Sequence, residues 1–291
     1  GLDFAVRPGE LFGLVGPVGA GKTTTLRMLA GVLRPSAGDA LIDGVSVARE
    51  PERVKLELAY MSQRFGLYGD LTVAENLDFY ADLYRVPRSE RPARLERLYA
   101  FSGLEPFQGR LAGQLSGGMK QKLGLSCALV HEPRVLLLDE PTFGVDPVSR
   151  RDLWRIVHEM VGRGVTAVVS TAYLDEAERF DRLALLHQGS VLALDTPERL
   201  RRSFEGTLLE VRAAEPRRAR EIARGVEGVR AVEAFGETLH VTADALEPAR
   251  ARLAQALEDA GLPGAVIEPF EPDLEDVFLA RIAGSATAEA A

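Results

Sequence analysis

The chain has 291 residues, 46% of them apolar, which is enough for one sizeable core and a second, smaller one. Its net charge of −8 argues against nucleic acid as the main partner, because binding a phosphate backbone needs a basic face. A single cysteine, Cys127, excludes an intrachain disulfide and fits a reducing compartment. Since no apolar run approaches the roughly 20 residues of a bilayer-spanning helix, we predict no direct membrane span.

The first residues carry neither an initiator methionine nor a signal-peptide pattern. A strand-like run already begins at the second residue, over Leu2 to Val6. From these two features we expect the sequence to be a fragment of a longer protein.

Short apolar runs then alternate with helical patterns. Leu11 to Val15 is predicted as a strand and Lys22 to Leu29 as a helix. Much further along, Val135 to Leu138 is a predicted strand, Asp152 to Val161 a helix and Val165 to Val169 a strand. This alternation predicts an α/β domain with a mostly parallel sheet.

The stretch Leu71 to Leu111 interrupts that alternation. It contains two helical patterns, Val73 to Tyr84 and Pro92 to Phe101, without a strand between them. We therefore predict a helical insertion, or subdomain, over about residues 66–113.

Beyond Arg202 the pattern changes again, to the order strand, helix, two strands, helix, strand, helix. The predicted elements are Leu208 to Arg212, Pro216 to Arg224, Val229 to Phe235, Thr238 to Thr242, Leu246 to Ala260, Ala265 to Glu268 and Leu274 to Ile282. This βαββαβ order is typical of a ferredoxin-like α+β module. We expect a first domain over residues 1–203, an accessory domain over 204–283 and a linker or disordered tail over 284–291.

The segment GPVGAGKTT, after the first strand, matches the phosphate-loop pattern G-x-x-x-x-G-K-[ST]. A strand enters the segment and a helix leaves it, so backbone N–H groups and the positive helix end converge on phosphates. Lys22 is expected to reach the β- and γ-phosphates, and the Thr23 hydroxyl to ligate Mg²⁺. The predicted phosphate-binding residues are Gly16, Pro17, Val18, Gly19, Ala20, Gly21, Lys22, Thr23 and Thr24.

A second motif, VLLLDE over Val135 to Glu140, is an apolar strand that ends in two acids. This is the Walker B arrangement, in which the first carboxylate, Asp139, holds Mg²⁺ through water. Glu140 would polarise the attacking water as general base. Alone, such an acidic pair is more often part of a solvated loop, but the upstream phosphate loop favours the functional interpretation.

The segment LSGGMKQKL, from Leu115 to Leu123, resembles the signature of the ATP-binding cassette (ABC) family. Ser116 stands where a helix N-cap is expected, and Gly117 and Gly118 leave backbone N–H groups open toward an anion. The resemblance implies a RecA-like P-loop NTPase fold. It also implies that this helix end binds the γ-phosphate of ATP held by a second cassette in a head-to-tail dimer.

Two further positions match the family. Gln63, in YMSQRF, corresponds to the Q-loop glutamine, which reaches Mg²⁺ and the water and senses the transport partner. Asp146, in FGVDP, corresponds to the D-loop aspartate, which crosses the dimer interface. The local alternative for Asp146 is a turn or helix N-cap ahead of Pro147, and both interpretations are compatible.

The sequence departs from the family at two positions of its own nucleotide site. Ala172, in STAYLDEAE, occupies the place of the switch histidine, and Val18 the place of a usually polar residue. Alanine can neither donate a hydrogen bond to the γ-phosphate nor order a water. We therefore hypothesise that this site hydrolyses ATP slowly, while Ser116, Gly117, Gly118 and Asp146 serve the partner's site in an unequal pair.

The segments LTVAENLDFYADLYRVP and EPDLEDVFLARIAG resemble ABC-2-type drug and antibiotic exporters. That resemblance implies an ATPase subunit at the inner face of the plasma membrane, in the cytoplasm. Its partners would be an integral-membrane permease and a second cassette, as homodimer, heterodimer or tandem half. A helix of the permease would lie near Arg64, Phe65 and Tyr68.

Two other classes of protein compete with this interpretation. A soluble ABC ATPase acting on ribosomes or DNA is the alternative, which the acidic balance disfavours. The insertion between Gln63 and Leu115 is also too short for the long coiled coil of some such proteins. A small-molecule kinase would have no reason to carry the sequence LSGG. The transported substrate stays open.

Overall fold

A computed structural model describes residues 1–63 and 66–289. The chain divides into two compact units, Gly1–Pro197 and Glu198–Ala291, each with its own hydrophobic core. The division falls six residues before the predicted boundary at residue 203, because the short helix over Pro197–Arg202 lies almost entirely in the second unit.

The first unit is built on a six-stranded sheet. Its strands and those of a small hairpin are β1 (Leu11–Val15), β2 (Leu41–Ile42), β3 (Val45–Ser46), β4 (Leu58–Met61), β5 (Val135–Asp139), β6 (Thr166–Thr171), β7 (Arg182–His187) and β8 (Ser190–Asp195). The order across the sheet is β4-β5-β6-β1-β7-β8, with all neighbours parallel except the edge pair β7 and β8. The predicted, mostly parallel α/β sheet is confirmed.

The helices of this unit are α1 (Lys22–Leu29), α2 (Pro51–Glu57), α3 (Val73–Leu83), α4 (Arg91–Ser102), α5 (Gly117–Leu129) and α6 (Pro147–Gly162). All five residues of β1 are buried, as expected of a parallel strand covered on both faces. In the described residues, no helix is both long and apolar enough to span a bilayer. The predicted strand Leu2 to Val6 is wrong: this segment forms no strand and instead packs on the core, with the Phe4 ring stacked on Phe12 at 5.4 Å.

Helices α3 and α4 form the predicted insertion. Helix α3 begins with a capping box in which Thr72 and Glu75 exchange hydrogen bonds. The two ends of the insertion meet at its base, where the Gly113 N–H donates to the Gly69 carbonyl at 2.9 Å and Thr72 bridges to Leu111. The insertion is therefore closed on itself where it leaves the sheet.

One buried amide, Asn76 on α3, holds the segment that enters the insertion. Its Nδ2 donates to the carbonyls of Tyr68, Leu71 and Thr72 at 3.0, 3.2 and 2.9 Å, and its Oδ1 accepts from the Tyr68 N–H at 3.0 Å. The loop over residues 68–72 is thus fastened to α3. Arg64 and Phe65, which were expected to lie near a permease helix together with Tyr68, are outside the described residues.

The second unit begins with α7 (Pro197–Arg202). It continues with β9 (Thr207–Arg212), α8 (Pro216–Arg224), β10 (Val229–Phe235), β11 (Thr238–Ala243), α9 (Leu246–Asp259), β12 (Val266–Phe270) and α10 (Leu274–Glu289). The four strands form an antiparallel sheet in the order β10-β11-β9-β12. This is the order of a split βαβ, so the ferredoxin-like prediction for this unit is confirmed.

The last helix corrects the prediction for the chain end. Residues 284–291 were expected to be a linker or disordered tail, but α10 continues to Glu289. Alanine, which recurs there, has the highest intrinsic helix propensity and carries the helix past Gly284. Asp273 precedes the helix, and its carboxylate accepts from the N–H groups of Glu275 and Asp276 at 2.8 and 2.9 Å. Residues 290 and 291 lie outside the described structure.

Candidate nucleotide site

The loop between β1 and α1 has the backbone shape of a phosphate cradle. Gly19 and Gly21 have φ values of 85° and 102°, which are rarely accessible to other residues. A Cβ on Gly16 would lie 2.2 Å from the Leu186 carbonyl oxygen, so only glycine fits there. Ala20 is buried, whereas Pro17, Val18, Gly19 and Thr24 are exposed. The loop therefore keeps its amides accessible at the N-terminal end of α1.

Lys22 is held inside this loop. Its ammonium donates to the carbonyls of Gly16 and Pro17 at 2.7 and 3.1 Å, and it pairs with Glu140 Oε1 at 3.1 Å. Its side chain is only 4% exposed. A buried cation surrounded by acceptors is pre-positioned for an anion that arrives over the loop.

Asp139, the last residue of β5, is the buried acid beside the loop. Its Oδ1 accepts from the hydroxyls of Thr23 at 2.9 Å and Ser170 at 2.7 Å, and its Oδ2 from the Tyr60 hydroxyl at 3.3 Å. Burial, and then the negative charge of Asp139, raise the pKa of Tyr60. The carboxylate and the Thr23 hydroxyl are the hard oxygen ligands that Mg²⁺ prefers.

Glu140 follows in an unusual conformation, with φ at 47°. Its N–H donates to the Ser170 carbonyl and hydroxyl at 3.1 and 3.0 Å, and its Oε2 accepts from Gln63 Nε2 at 3.3 Å. The strand order β5-β6-β1 explains this convergence, because the carboxyl ends of neighbouring parallel strands meet at one edge of the sheet. Lys22, Thr23, Asp139, Glu140 and Gln63 are thus linked in one cluster.

The remaining predicted residues form a second cluster, at the starts of α5 and α6. Ser116 is the N-cap of α5, and its hydroxyl accepts from the Met119 N–H at 3.3 Å. Ser116 and Gly117 are exposed, while Gly118 is buried so closely against Ser149 that a Cβ would lie 2.2 Å from its hydroxyl oxygen. The exposed helix end is open to an anion.

Asp146 is the N-cap of α6, as the local alternative predicted. Its carboxylate accepts from the N–H groups of Ser149 and Val148 at 3.0 and 3.1 Å. These bonds, led by the one to Ser149, lower the pKa of the Asp146 carboxyl. The capping role leaves this exposed side chain charged at neutral pH.

The two departures lie at the first cluster. Val18 is 90% exposed at the tip of the phosphate loop. Ala172 directly follows β6, which lies between β5 and β1 in the sheet, so it stands at the edge where Glu140 and the phosphate loop meet. A methyl group at this place offers no hydrogen bond.

Sequence reasoning missed three residues that organise the site: Tyr60 and Ser170, which bind Asp139, and Glu176. Ser170 had a visible signal, since it is a polar residue at the end of an otherwise apolar strand. Tyr60 had none, because its partner Asp139 is 79 residues away, and Glu176 had little, because Thr142 and Trp154, two of its three hydrogen-bond partners, are 34 and 22 residues away.

The geometry agrees with comparisons to known proteins. A family model described as "ABC transporter" matches residues 1–143. The probable multidrug ABC transporter ATP-binding protein YbhF of Escherichia coli (strain K12) is 52% identical over 205 residues, which are 70% of this chain and 36% of that protein. The daunorubicin resistance ATP-binding protein DrrA2 of Streptomyces coeruleorubidus is 34% identical, over 99% of this chain and 90% of its own.

The chain belongs to the ATP-binding cassette family. The Nod factor export ATP-binding protein I of Burkholderia thailandensis is 38% identical to this cassette, over 98% of this chain and 91% of its own. The cassette spans about a third of the length of YbhF.

Solved structures show the same fold. A structure described as the ATP-binding subunit of an ABC transporter is 35% identical, with a TM-score of 0.63 over 69% of this chain and 84% of its own. The cassette MJ0796, solved as a dimer in a post-hydrolysis state with ADP and Pi, is 26% identical, with a TM-score of 0.61 over 66% of this chain and 88% of its own. The first unit is therefore an ABC nucleotide-binding domain of the P-loop NTPase type.

Proposed function

We propose that this chain is the ATP-binding and ATP-hydrolysing subunit of an ABC exporter. The observation that carries the proposal is the cluster at the carboxyl edge of the sheet, where Lys22 and Glu140 pair at 3.1 Å and Thr23 and Asp139 at 2.9 Å. Phosphoryl transfer to water needs a cation for the phosphates, oxygen ligands for Mg²⁺ and a base. All three are present within one network.

The roles follow from the contacts. The phosphate loop, from Gly16 to Thr24, binds the nucleotide phosphates through its backbone N–H groups and through Lys22. Glu140 acts as general base. Gln63 donates a hydrogen bond to Glu140 and orients both this carboxylate and the attacking water. Lys22 leaves its pair with Glu140 to contact the γ-phosphate, which frees the carboxylate for the water.

Thr23 and Asp139 would hold Mg²⁺, with Gln63 as a further ligand. Asp139 is buried and already binds the Thr23 hydroxyl, so both oxygens are available at one point. The ion, when bound, would neutralise charge on the phosphates. Ser170 and Tyr60 keep the Asp139 carboxylate in place through their hydroxyls.

A second cassette is the proposed partner. The exposed start of α5, with Ser116 and Gly117, would bind the γ-phosphate of its ATP, and Asp146 would lie at the interface. Since Ala172 and Val18 affect only the site of this chain, we propose an unequal pair in which this site is the slower one. The pair could be two chains or two halves of one polypeptide.

Export is proposed from the names of three relatives, a multidrug transporter protein, a daunorubicin resistance protein and a Nod factor export protein. The permease would be an ABC-2-type membrane protein, which would hold this subunit at the inner face of the plasma membrane. Residues 198–289 would be an accessory domain and the insertion over about 66–113 the part facing the permease. The comparisons give the ribosome or DNA alternative no support.

The test is ATP turnover by the chain, together with its capture by membrane proteins. We expect phosphate release that depends on Mg²⁺. Lys22→Ala should abolish it, because the segment from Gly16 to Thr24 then carries no cationic side chain. The exposed Lys55→Ala, whose lysine pairs with Glu52 on α2, is the matched control and should leave turnover unchanged. A wild-type chain that neither binds ATP nor co-purifies with a multi-spanning membrane protein would contradict the proposal.

A further inference from the structure

Glu176 is a buried carboxylate that the proposed chemistry does not use. It lies in a short 3-10 turn, Leu174–Arg179, and is 1% exposed. Its Oε2 accepts from the hydroxyls of Thr171 at 2.7 Å and Thr142 at 3.0 Å, and its Oε1 from Trp154 Nε1 at 3.1 Å. Arg150 Nε, at 3.7 Å, is its nearest cation. A charge this deeply buried is retained only where its contacts compensate for lost hydration.

These contacts join three separate elements at the nucleotide site. Thr142 lies in the turn that connects Glu140 to α6. Thr171 ends β6, immediately before Ala172. Trp154 is on α6, whose first turn is capped by Asp146. The Glu176 carboxylate therefore holds the turn after β5, the end of β6 and the helix α6.

The turn at Thr142 fixes an unfavourable backbone at the proposed base. Glu140 has φ at 47°, a conformation that glutamate rarely adopts and that its surroundings must maintain. Two neighbouring bonds help: the Glu140 N–H donates to Ser170, and the Phe143 N–H donates to the Glu140 carbonyl at 3.1 Å. The Thr142 hydroxyl on Glu176 closes the turn from its other side.

We propose that Glu176 is a positioning residue for ATP hydrolysis, which acts through Thr142 and Thr171 to hold the Glu140 carboxylate and the segment at Ala172 in their working places. This inference rests on the proposed function for the roles of those residues. It differs from a purely structural role for Glu176, in which all three hydrogen bonds would serve only the stability of the core.

Two variants at buried sites separate these roles. Thr142→Val and Trp154→Phe each remove one hydrogen bond to Glu176, and Trp154→Phe also removes ring volume, so it should lower the thermal midpoint at least as much as Thr142→Val does. Only Thr142→Val releases the turn after Glu140. We expect it to lower kcat by at least about tenfold, a part of what a general base supplies, with the KM for ATP unchanged. Trp154→Phe should keep kcat within about threefold of the wild type.

A second measurement does not depend on turnover. In hydrogen exchange of the full chain without nucleotide, Thr142→Val should exchange about two- to tenfold faster over residues 140–146, because one lost hydrogen bond produces a factor of that size. Trp154→Phe should leave exchange over these residues unchanged. Glu176→Gln should retain kcat, because the amide can donate to the two threonine hydroxyls and its carbonyl can accept from Trp154. Glu176→Ala should lose the wild-type kcat.

Equal effects of Thr142→Val and Trp154→Phe on both kcat and exchange would overturn the proposal and leave a structural role. A wild-type chain that neither binds ATP nor co-purifies with a multi-spanning membrane protein would contradict the proposed function, whereas the exchange experiment would still decide whether Glu176 holds the Glu140 turn. If Glu176→Ala does not fold, Thr142→Val and Trp154→Phe carry the test alone.

Discussion

Replacing Glu140 by glutamine should tighten the binding of ATP while it stops hydrolysis. Glu140 pairs with Lys22, the cation that is proposed to contact ATP, at 3.1 Å and with side-chain exposures of 13% and 4%. At an effective dielectric constant of ~20, such a pair attracts by about 5 kcal/mol before desolvation is subtracted. ATP must break this pair and bring its γ-phosphate close to the carboxylate.

Glutamine removes both the competition for Lys22 and the repulsion between the Glu140 carboxylate and the γ-phosphate. A net gain of about 1–3 kcal/mol, part of the pair attraction, corresponds to ATP affinity about 5- to 150-fold higher. Turnover should fall by about 10²–10⁴, the usual contribution of a general base. ADP lacks the γ-phosphate, so its affinity should rise by less than that of ATP.

Calorimetric titration of the full chain with ATP and ADP measures this, alongside phosphate release. Glu10→Gln is the charge-matched control, because Glu10 is a buried carboxylate paired with Arg182 at the opposite end of β1. It should leave both affinities unchanged. The reasoning is refuted if Glu140→Gln binds ATP no more tightly than the wild type, or if the control shows the same gain.

Three further outcomes are expected. Ala172→His should raise phosphate release in the paired assembly at least about tenfold, and an unchanged rate would show that this position does not limit hydrolysis. Gly16→Ala places a Cβ 2.2 Å from the Leu186 carbonyl oxygen. Calorimetry should therefore show that ATP binding is lost and that the free energy of unfolding falls by about 1–3 kcal/mol. The control Gly162→Ala, at a glycine with open space around it, should show neither effect. Burial lowers the pKa of His131 from 6.5 to about 4. The unfolded chain therefore binds the extra proton between these values, and His131 should contribute a rise in stability of about 3 kcal/mol from pH 4 to 6.5 in urea titrations, which His131→Phe should lose.

The sequence was most informative where chemistry is local. The phosphate loop, the acids after β5 and the N-cap at Ser116 each occupy a few consecutive residues, and the structure places them at the element ends that the pattern predicted. The alternation of elements likewise predicted both sheets. Length and periodicity were sufficient for these features because local propensity and fold agree.

What could not be predicted depends on distant pairs. Tyr60 meets Asp139 across 79 residues, and Glu176 meets Thr142 across 34. A single sequence records neither contact, because the residues come together only when β4, β5 and β6 align. The chain end was mispredicted for the opposite reason: glycine and small polar residues suggested a loop, but recurrent alanine favours the helix that the structure shows.

The Asn76 amide has a consequence for how mutations in this protein should be interpreted. Three carbonyls and one N–H depend on that single side chain, which is fully buried. Aspartate could accept from the Tyr68 N–H but could donate to none of the carbonyls, and leucine could do neither. A saturation screen for function would therefore show position 76 as intolerant as the phosphate loop. The cause would be loss of folded protein, which abundance measurements would separate from loss of catalysis.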